Sequence, residues 1–203
     1  MKRLVLLLAI TCVSSAAMAQ KADAAFVVGG AFSSDVKATF TPTVGPSVLE
    51  TISFDHHLFL EGAASVRMLN AHVAALRLEL PVAAIPSQPL GLAGFADHIS
   101  SLFITPGFKV SVLPGAPISP WASVGGGWAH YSTPGNISEN KGALEYGGGL
   151  DFNTRLPLLG FRAEVRDFVT GDPARLIAGP GTTTTQGLHH HNVLVGGGIV
   201  LRF

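Results

Sequence analysis

The chain has 203 residues, of which 24 are glycine and 47% are hydrophobic, and its 13 Lys and Arg balance 13 Asp and Glu. That balance leaves no basic stripe to follow a nucleic-acid backbone, so nucleic acid is not an expected partner. The mean hydropathy is positive, yet no apolar run reaches the roughly 20 residues of a membrane helix.

Met1, Lys2 and Arg3 form a short basic start, Leu4–Val13 is apolar, and Ala17, Met18 and Ala19 follow at the cleavage positions. This is the pattern of a secretory signal peptide over residues 1–19, with the mature chain expected to begin at Gln20 and to form one domain over residues 20–203. Cys12, the single cysteine, leaves with the signal, so neither disulfides nor thiolate chemistry are expected. Without Lys2 and Arg3 the count is 11 basic against 13 acidic residues, a net charge of −2.

Beyond the signal, period two dominates. Phe26, Val28, Gly30 and Phe32 share one side of a first predicted strand. Leu58, Leu60, Gly62, Ala64, Val66 and Met68 share a side of the second, and Leu76, Leu78, Leu80 and Val82 of the third. The fourth has Ile104, Pro106, Phe108, Val110 and Val112, and the fifth, Trp121 to Ser132, has ambiguous parity because Gly and Ala occupy both faces. Leu144, Tyr146, Gly148, Leu150 and Phe152 mark the sixth, and Phe161, Ala163 and Val165 the seventh. Val193, Val195, Gly197, Ile199, Leu201 and Phe203 mark the eighth.

Charges interrupt the opposite faces: Glu61 and Arg67, Arg77 and Glu79, Lys109, Glu145 and Asp151, then Arg162, Glu164 and Arg166. A soluble barrel or sandwich would turn the apolar face inward, whereas a membrane barrel turns it to lipid and fills the lumen with the charges. Connection lengths favour the second arrangement. Long stretches at Ser34–Phe54, Ala84–Ser100, Thr133–Lys141 and Gly171–Leu188 alternate with short turns at Asn70–Ala71, Pro114–Ser119 and Leu156–Leu159. Long loops on one side and tight turns on the other are the habit of outer-membrane barrels. The fold expected is therefore all-β: an eight-stranded antiparallel transmembrane β-barrel, an up-and-down meander closed because an open edge cannot sit in hydrocarbon.

Four stretches, "PWASVGGGWAHY" (Pro120–Tyr131), "GALEYGGGLDF" (Gly142–Phe152), "GFRAEVRDF" (Gly160–Phe168) and "VLVGGGIVLRF" (Val193–Phe203), carry a resemblance to the OmpA-like family of small outer-membrane β-barrel domains. In pattern it spans nearly the whole mature chain. The resemblance implies a lumen plugged by ion pairs among Glu61, Arg67, Arg77, Glu79, Lys109, Glu145, Asp151, Arg162, Glu164 and Arg166. It also implies that Phe203, ending an alternating apolar strand, is the signal read by the outer-membrane assembly machinery. Asp167 breaks the pattern, because parity places it outward, near the outer end of its strand, where headgroups would solvate it. No periplasmic peptidoglycan-binding domain is expected after the last strand.

Other motifs point to chemistry less specifically. The triplets Gly125–Gly127, Gly147–Gly149 and Gly196–Gly198 lie inside strand patterns, where glycine makes room for close approach rather than cradling a phosphate ahead of a helix. His56, His57, His98, His130 and His189–His191 fall on the long-loop half; as adjacent strand residues point to opposite sides, a metal site would need partners from two loops. His72 falls at a short turn. "HYS" (His130–Ser132) is similar to the His-x-Ser pair of lipid A deacylase barrels, with Glu139 or Glu145 as an orienting acid. Gly171–Gly187, with "GPGTTTTQG", reads as a mobile external loop. The function expected is that of a non-enzymatic outer-membrane barrel needing no cofactor, in contact with membrane lipid and lipopolysaccharide, with an envelope-structural role and recognition through its external loops. The ligand of those loops is not legible, and a lipid A hydrolase using His130 and Ser132, or a narrow pore, is the alternative.

Overall fold

A computed structural model describes residues 22–40, 48–71, 73–89, 98–134, 138–156, 158–171, 183–186 and 189–203. The signal region and His72 lie outside the described residues.

The described chain is made of strands: β1 (Ala22–Ser33), β2 (Val36–Phe40), β3 (Val48–Ile52), β4 (His57–Ala71), β5 (Ala74–Pro89), β6 (His98–Ile104), β7 (Gly107–Val112), β8 (Ile118–Ser132), β9 (Ser138–Asn153), β10 (Leu159–Thr170), β11 (Thr183–Gln186) and β12 (His190–Arg202). β4, β1, β12, β10, β9 and β8 are neighbours in that order; β6 and β7 together fill the next place, β5 follows, and β5 pairs back to β4. All these pairings are antiparallel. The wall therefore has eight positions and no free edge, which removes the unpaired backbone groups that hydrocarbon would punish.

The place shared by β6 and β7 is split because proline cannot donate to a ladder. Thr105 and Pro106 separate β6 from β7, and Pro81, another residue without an N–H, lies across from the gap on β5. The Thr105 amide still donates to the Pro81 carbonyl at 3.4 Å, and the Gly126 amide donates to the Pro106 carbonyl at 3.1 Å, so the seam stays closed.

Side chains sort by parity. Phe26, Leu58, Leu78, Phe108, Val124, Leu144, Phe161 and Ile199 are exposed on the outer wall, while the alternate positions are buried in the lumen. The run whose parity is unreadable in sequence resolves here: Trp121, Ser123, Ala129 and Tyr131 face in, Val124 and Trp128 face out. Glycine permits the narrow bore. At Gly147 a Cβ would meet Arg166 Cγ at 2.7 Å, and at Gly149 it would meet the Trp121 ring at 2.8 Å.

Strands are longer than a membrane requires. β9 has 16 residues, which at a rise of about 3.3 Å and a tilt of about 40° makes a wall about 40 Å tall. An apolar band of about 25 Å leaves the remainder outside, and the outward residues change character accordingly: Trp128 and Leu144 give way to His130, Ser132, Ser138 and Asn140 toward the long connections.

The long connections differ from the expected loops. The first contains the β2–β3 hairpin, and Thr183–Gln186 of the last pairs with β2 to make a three-stranded sheet. Part of the segment read as a mobile loop is thus a strand: β-branched threonines favour extended backbone, and β2 supplies the partner.

Candidate functional site

β10 lays Arg162, Glu164 and Arg166 on its inner face, and an eight-stranded bore is just wide enough for side chains to fill. Arg166 stands at the centre. Its guanidinium reaches Glu145 at 3.0 Å, Glu61 at 3.1 Å, Glu79 at 3.2 Å and Glu164 at 3.4 Å, so β9, β4, β5 and β10 are tied through one side chain. Ser123 donates its hydroxyl to Glu145 at 2.8 Å. Arg162 grips Asp151 with two hydrogen bonds of 2.7 and 3.1 Å, the fork geometry that makes guanidinium–carboxylate pairs strong. Lys109 lies 3.5 Å from Asp151 and 3.6 Å from Glu79, and Arg77 pairs with Asp23 at 2.5 Å.

Trp121 forms the floor under these cations, with Lys109 Nζ 4.2 Å and the Arg162 and Arg166 guanidinium carbons 4.9 Å from its ring centre. Cation–π attraction strengthens when such groups are desolvated. Of the ten charged residues singled out in the sequence, nine meet in ion pairs. Arg67 stands apart, toward the short-turn mouth. Asp23, Ser123 and Trp121 are members that parity of charge alone does not find.

A second layer fills the bore toward the long connections, and it is apolar. Val27, Ala31, Phe59, Ala83, Ile85, Ile99, Phe103, Ala129, Phe168 and Leu194 form one buried cluster with Phe54 and Tyr131. Phe103 packs against Phe168 at 4.9 Å between ring centres. Tyr131 and Thr170 share a 2.7 Å hydroxyl contact, and above them Asn192, Ser33 and Gln88 are linked by bonds of 2.8 Å (Ser33–Asn192) and 3.0 Å (Gln88–Ser33). Charge at alternate positions marks the ionic layer in the sequence, and nothing marks the apolar one, although Phe59, Phe103 and Phe168 share parity with Glu61, Lys109 and Arg166.

Toward the long connections, the histidines part company. His190 is buried between Phe54 and Tyr131, with ring centres 5.0 and 6.4 Å away, and its Nδ1 lies 3.2 Å from the Ser34 hydroxyl. His56 packs against Phe32 with ring centres 4.6 Å apart and the planes tilted by 57°. His191 contacts Asp167 at 2.7 Å, and the Tyr146 hydroxyl donates to the same carboxylate oxygen at 2.7 Å. No group of three metal-ligating side chains forms among the described residues. Asp167 does face outward, as parity requires, but protein groups, Tyr146 and His191, meet its charge. It is the one Asp, Glu, Lys or Arg on the outward side of the described wall strands.

His130 and Ser132 also face outward without meeting each other. His130 Nδ1 is 2.8 Å from Asn140, and Ser132 is 2.7 Å from the Ser100 hydroxyl. Glu139 pairs with Lys141 at 2.7 Å, and Glu145 is in the lumen on Arg166. Nucleophile, base and orienting acid are not assembled as acyl transfer requires.

No protein-family model and no curated protein sequence matches the chain. Among solved structures, Neisserial surface protein A (NspA) aligns over 90% of this chain and 97% of its own length, with 13% identity and a TM-score of 0.55. The outer membrane protein OprG of Pseudomonas aeruginosa aligns over 91% and 96%, with 10% identity and a TM-score of 0.57. The outer membrane enzyme PagL aligns over 85% and 98% at 14% identity, but its TM-score of 0.42 carries no argument about chemistry. At these identities the likeness speaks to the fold, and the fold is that of the small eight-stranded outer-membrane barrels, the architecture of the OmpA-like domains that the sequence resembles.

Proposed function

We propose that this chain is a non-enzymatic barrel of the outer membrane of a Gram-negative-type bacterium, exported by its N-terminal signal, with an envelope-structural role and recognition by its long-loop end. One observation carries the reading: the outer wall is a belt of exposed apolar side chains around a bore closed twice, first by ion pairs and then by an aromatic and aliphatic layer. A belt of that kind suits lipid, and a filled bore leaves no water path. Recognition then falls to the wall above the apolar belt and to the β2–β3–β11 sheet, since loops carry function on rigid scaffolds. Lipid and lipopolysaccharide would contact the belt, and the assembly machinery would read the final strand through Phe203.

Expression in a Gram-negative host followed by membrane fractionation tests this. The expected result is an outer-membrane band that migrates faster unheated than boiled, weakened by Phe203→Ala, and silent in planar-bilayer recordings. Recovery in the soluble fraction would sink the proposal, and steady conductance steps would replace the structural role by a pore.

A further inference from the structure

The short-turn end of the barrel opens into a vestibule of about 310 Å3 that the central ion network leaves unfilled. Asp23, Arg67, Arg77 and Arg202 supply its charge, and Leu156, Leu158 and Phe203 stand exposed at its rim. Three arginines thus face one aspartate, and that aspartate is engaged by Arg77 at 2.5 Å. Among the described residues no carboxylate forms an ion pair with Arg67 or Arg202.

Register makes the imbalance specific. Arg67 on β4 lies directly across from Arg77 on β5, which lies directly across from Lys109 on β7. Like charges in facing positions repel. Arg77 is compensated by Asp23, and Lys109 by Glu79 and Asp151; Arg67 is left over. Its Nε is enclosed and has no hydrogen-bond partner among the described residues, and an enclosed donor without an acceptor is costly. Arg202, on β12 with only β1 between it and β4, is paired in register with Asp23 and lies over Gly160, where any Cβ would collide with its guanidinium. Two guanidinium groups are therefore held at the rim of a cavity with their donors uncommitted to carboxylate.

We propose that the vestibule is a phosphate site, in which Arg67 and Arg202 share the oxygens of one phosphate group while the Arg77–Asp23 pair forms its inner wall. A planar fork of N–H donors matches phosphate oxygens two at a time, and a dianion or diester offers the acceptors that Arg67 lacks. The phosphate is either free or carried by a phospholipid headgroup. The second source follows from the apolar rim, because Leu156, Leu158 and Phe203 continue the lipid-facing belt to the edge of the mouth.

The test uses the folded full-length mature chain in a maltoside micelle, which contains no phosphorus, titrated with inorganic phosphate and read by the Nε–Hε NMR signals of arginine and by calorimetry. Saturable one-to-one binding is expected, weakened about tenfold or more by Arg67→Gln and by Arg202→Gln. Arg155→Gln, an exposed arginine on the neighbouring turn that does not line the cavity, should bind as the parent does. Absence of saturable binding by the unsubstituted chain, or equal weakening by Arg155→Gln, overturns the site. The first outcome is readable whether or not a substituted chain folds, since it needs only the parent. Repeating the titration in nanodiscs separates the sources: free phosphate excluded by phospholipid but bound in galactolipid discs assigns a headgroup, and equal binding in both assigns the free ion.

Discussion

Replacing Arg166 by methionine, which keeps the length and apolar bulk of the side chain, tests the central claim that the lumen is held by charge compensation. Arg166 serves four carboxylates within 3.4 Å and lies over Trp121. Removing one partner of a buried ion pair costs about 3–5 kcal/mol because the other charge is stranded, and the lost ring contact adds about 1 kcal/mol. The expected loss is thus about 4–6 kcal/mol, part of which Arg162 and Lys109 absorb through Glu79, their shared partner. Urea unfolding in lipid vesicles, followed by tryptophan emission, reports it directly: Trp121 sits in the affected layer and Trp128 on the outer wall, so local and global effects can be told apart by deleting either. Adding Glu61→Gln and Glu145→Gln to Arg166→Met should recover at least half of the loss, since the neutral layer no longer strands charge. A single variant within about 1 kcal/mol of the parent, below the cost of a stranded charge, or a triple variant no better than the single, would refute the reasoning.

Gly149→Ala should destabilise by about 1–3 kcal/mol through overpacking against the Trp121 ring and the Ala163 carbonyl, while Gly62→Ala, which meets nothing within 4 Å, should leave the urea midpoint unchanged. Tyr146→Phe should lower the urea midpoint by withdrawing a donor from the outward Asp167 carboxylate, whereas Tyr146→Phe combined with Asp167→Val should be neutral or stabilising in the same assay. An unchanged midpoint for Tyr146→Phe alone would mean that lipid headgroups or water, rather than the hydroxyl, carry that charge.

Parity made most of the wall legible. Phe161, Ala163 and Val165 alternate with Arg162, Glu164 and Arg166, and in a two-sided sheet that alternation leaves only the choice of which side meets water; loop lengths then point to lipid. Legibility stops where a residue type suits both environments. The stretch Trp121–Ser132 has small residues on either face, so its register comes from its neighbours, through Val124↔Tyr146 and Phe108↔Val124. The apolar upper lumen escapes notice because Phe59, Phe103 and Phe168 are as hydrophobic as the lipid-facing residues beside them, and only position along the strand separates them from the charged layer. β2, β3 and β11 are short, and β11 pairs with β2 across more than 130 positions of sequence, a relation that no local window contains. The Asp167 site is legible only as a violation, since its partners lie on β9 and β12.

The closing seam obeys a different logic from the rest of the barrel. Arg166, Arg162 and Lys109 bind β4, β5, β7, β9 and β10 together across the lumen, but the inner face of β12 carries one charge, Arg202, at its very end, and that of β1 carries one, Asp23. Between them β1 and β12 meet glycine to glycine at Gly29↔Gly196, with Gly197 and Gly198 across from Val28 and Val27. A Cβ at Gly196 would strike the Phe59 ring at 2.7 Å, and one at Gly198 would collide with the Phe26 carbonyl. First and last strands are thus held in register by backbone hydrogen bonds and by close approach that only glycine permits, rather than by ion pairs. A one-residue slip would turn every β12 side chain to the wrong side, driving Val195 and Ile199 into the bore and Leu194 and Val200 into the wall. Shape therefore selects the register at the seam, and charge selects it elsewhere.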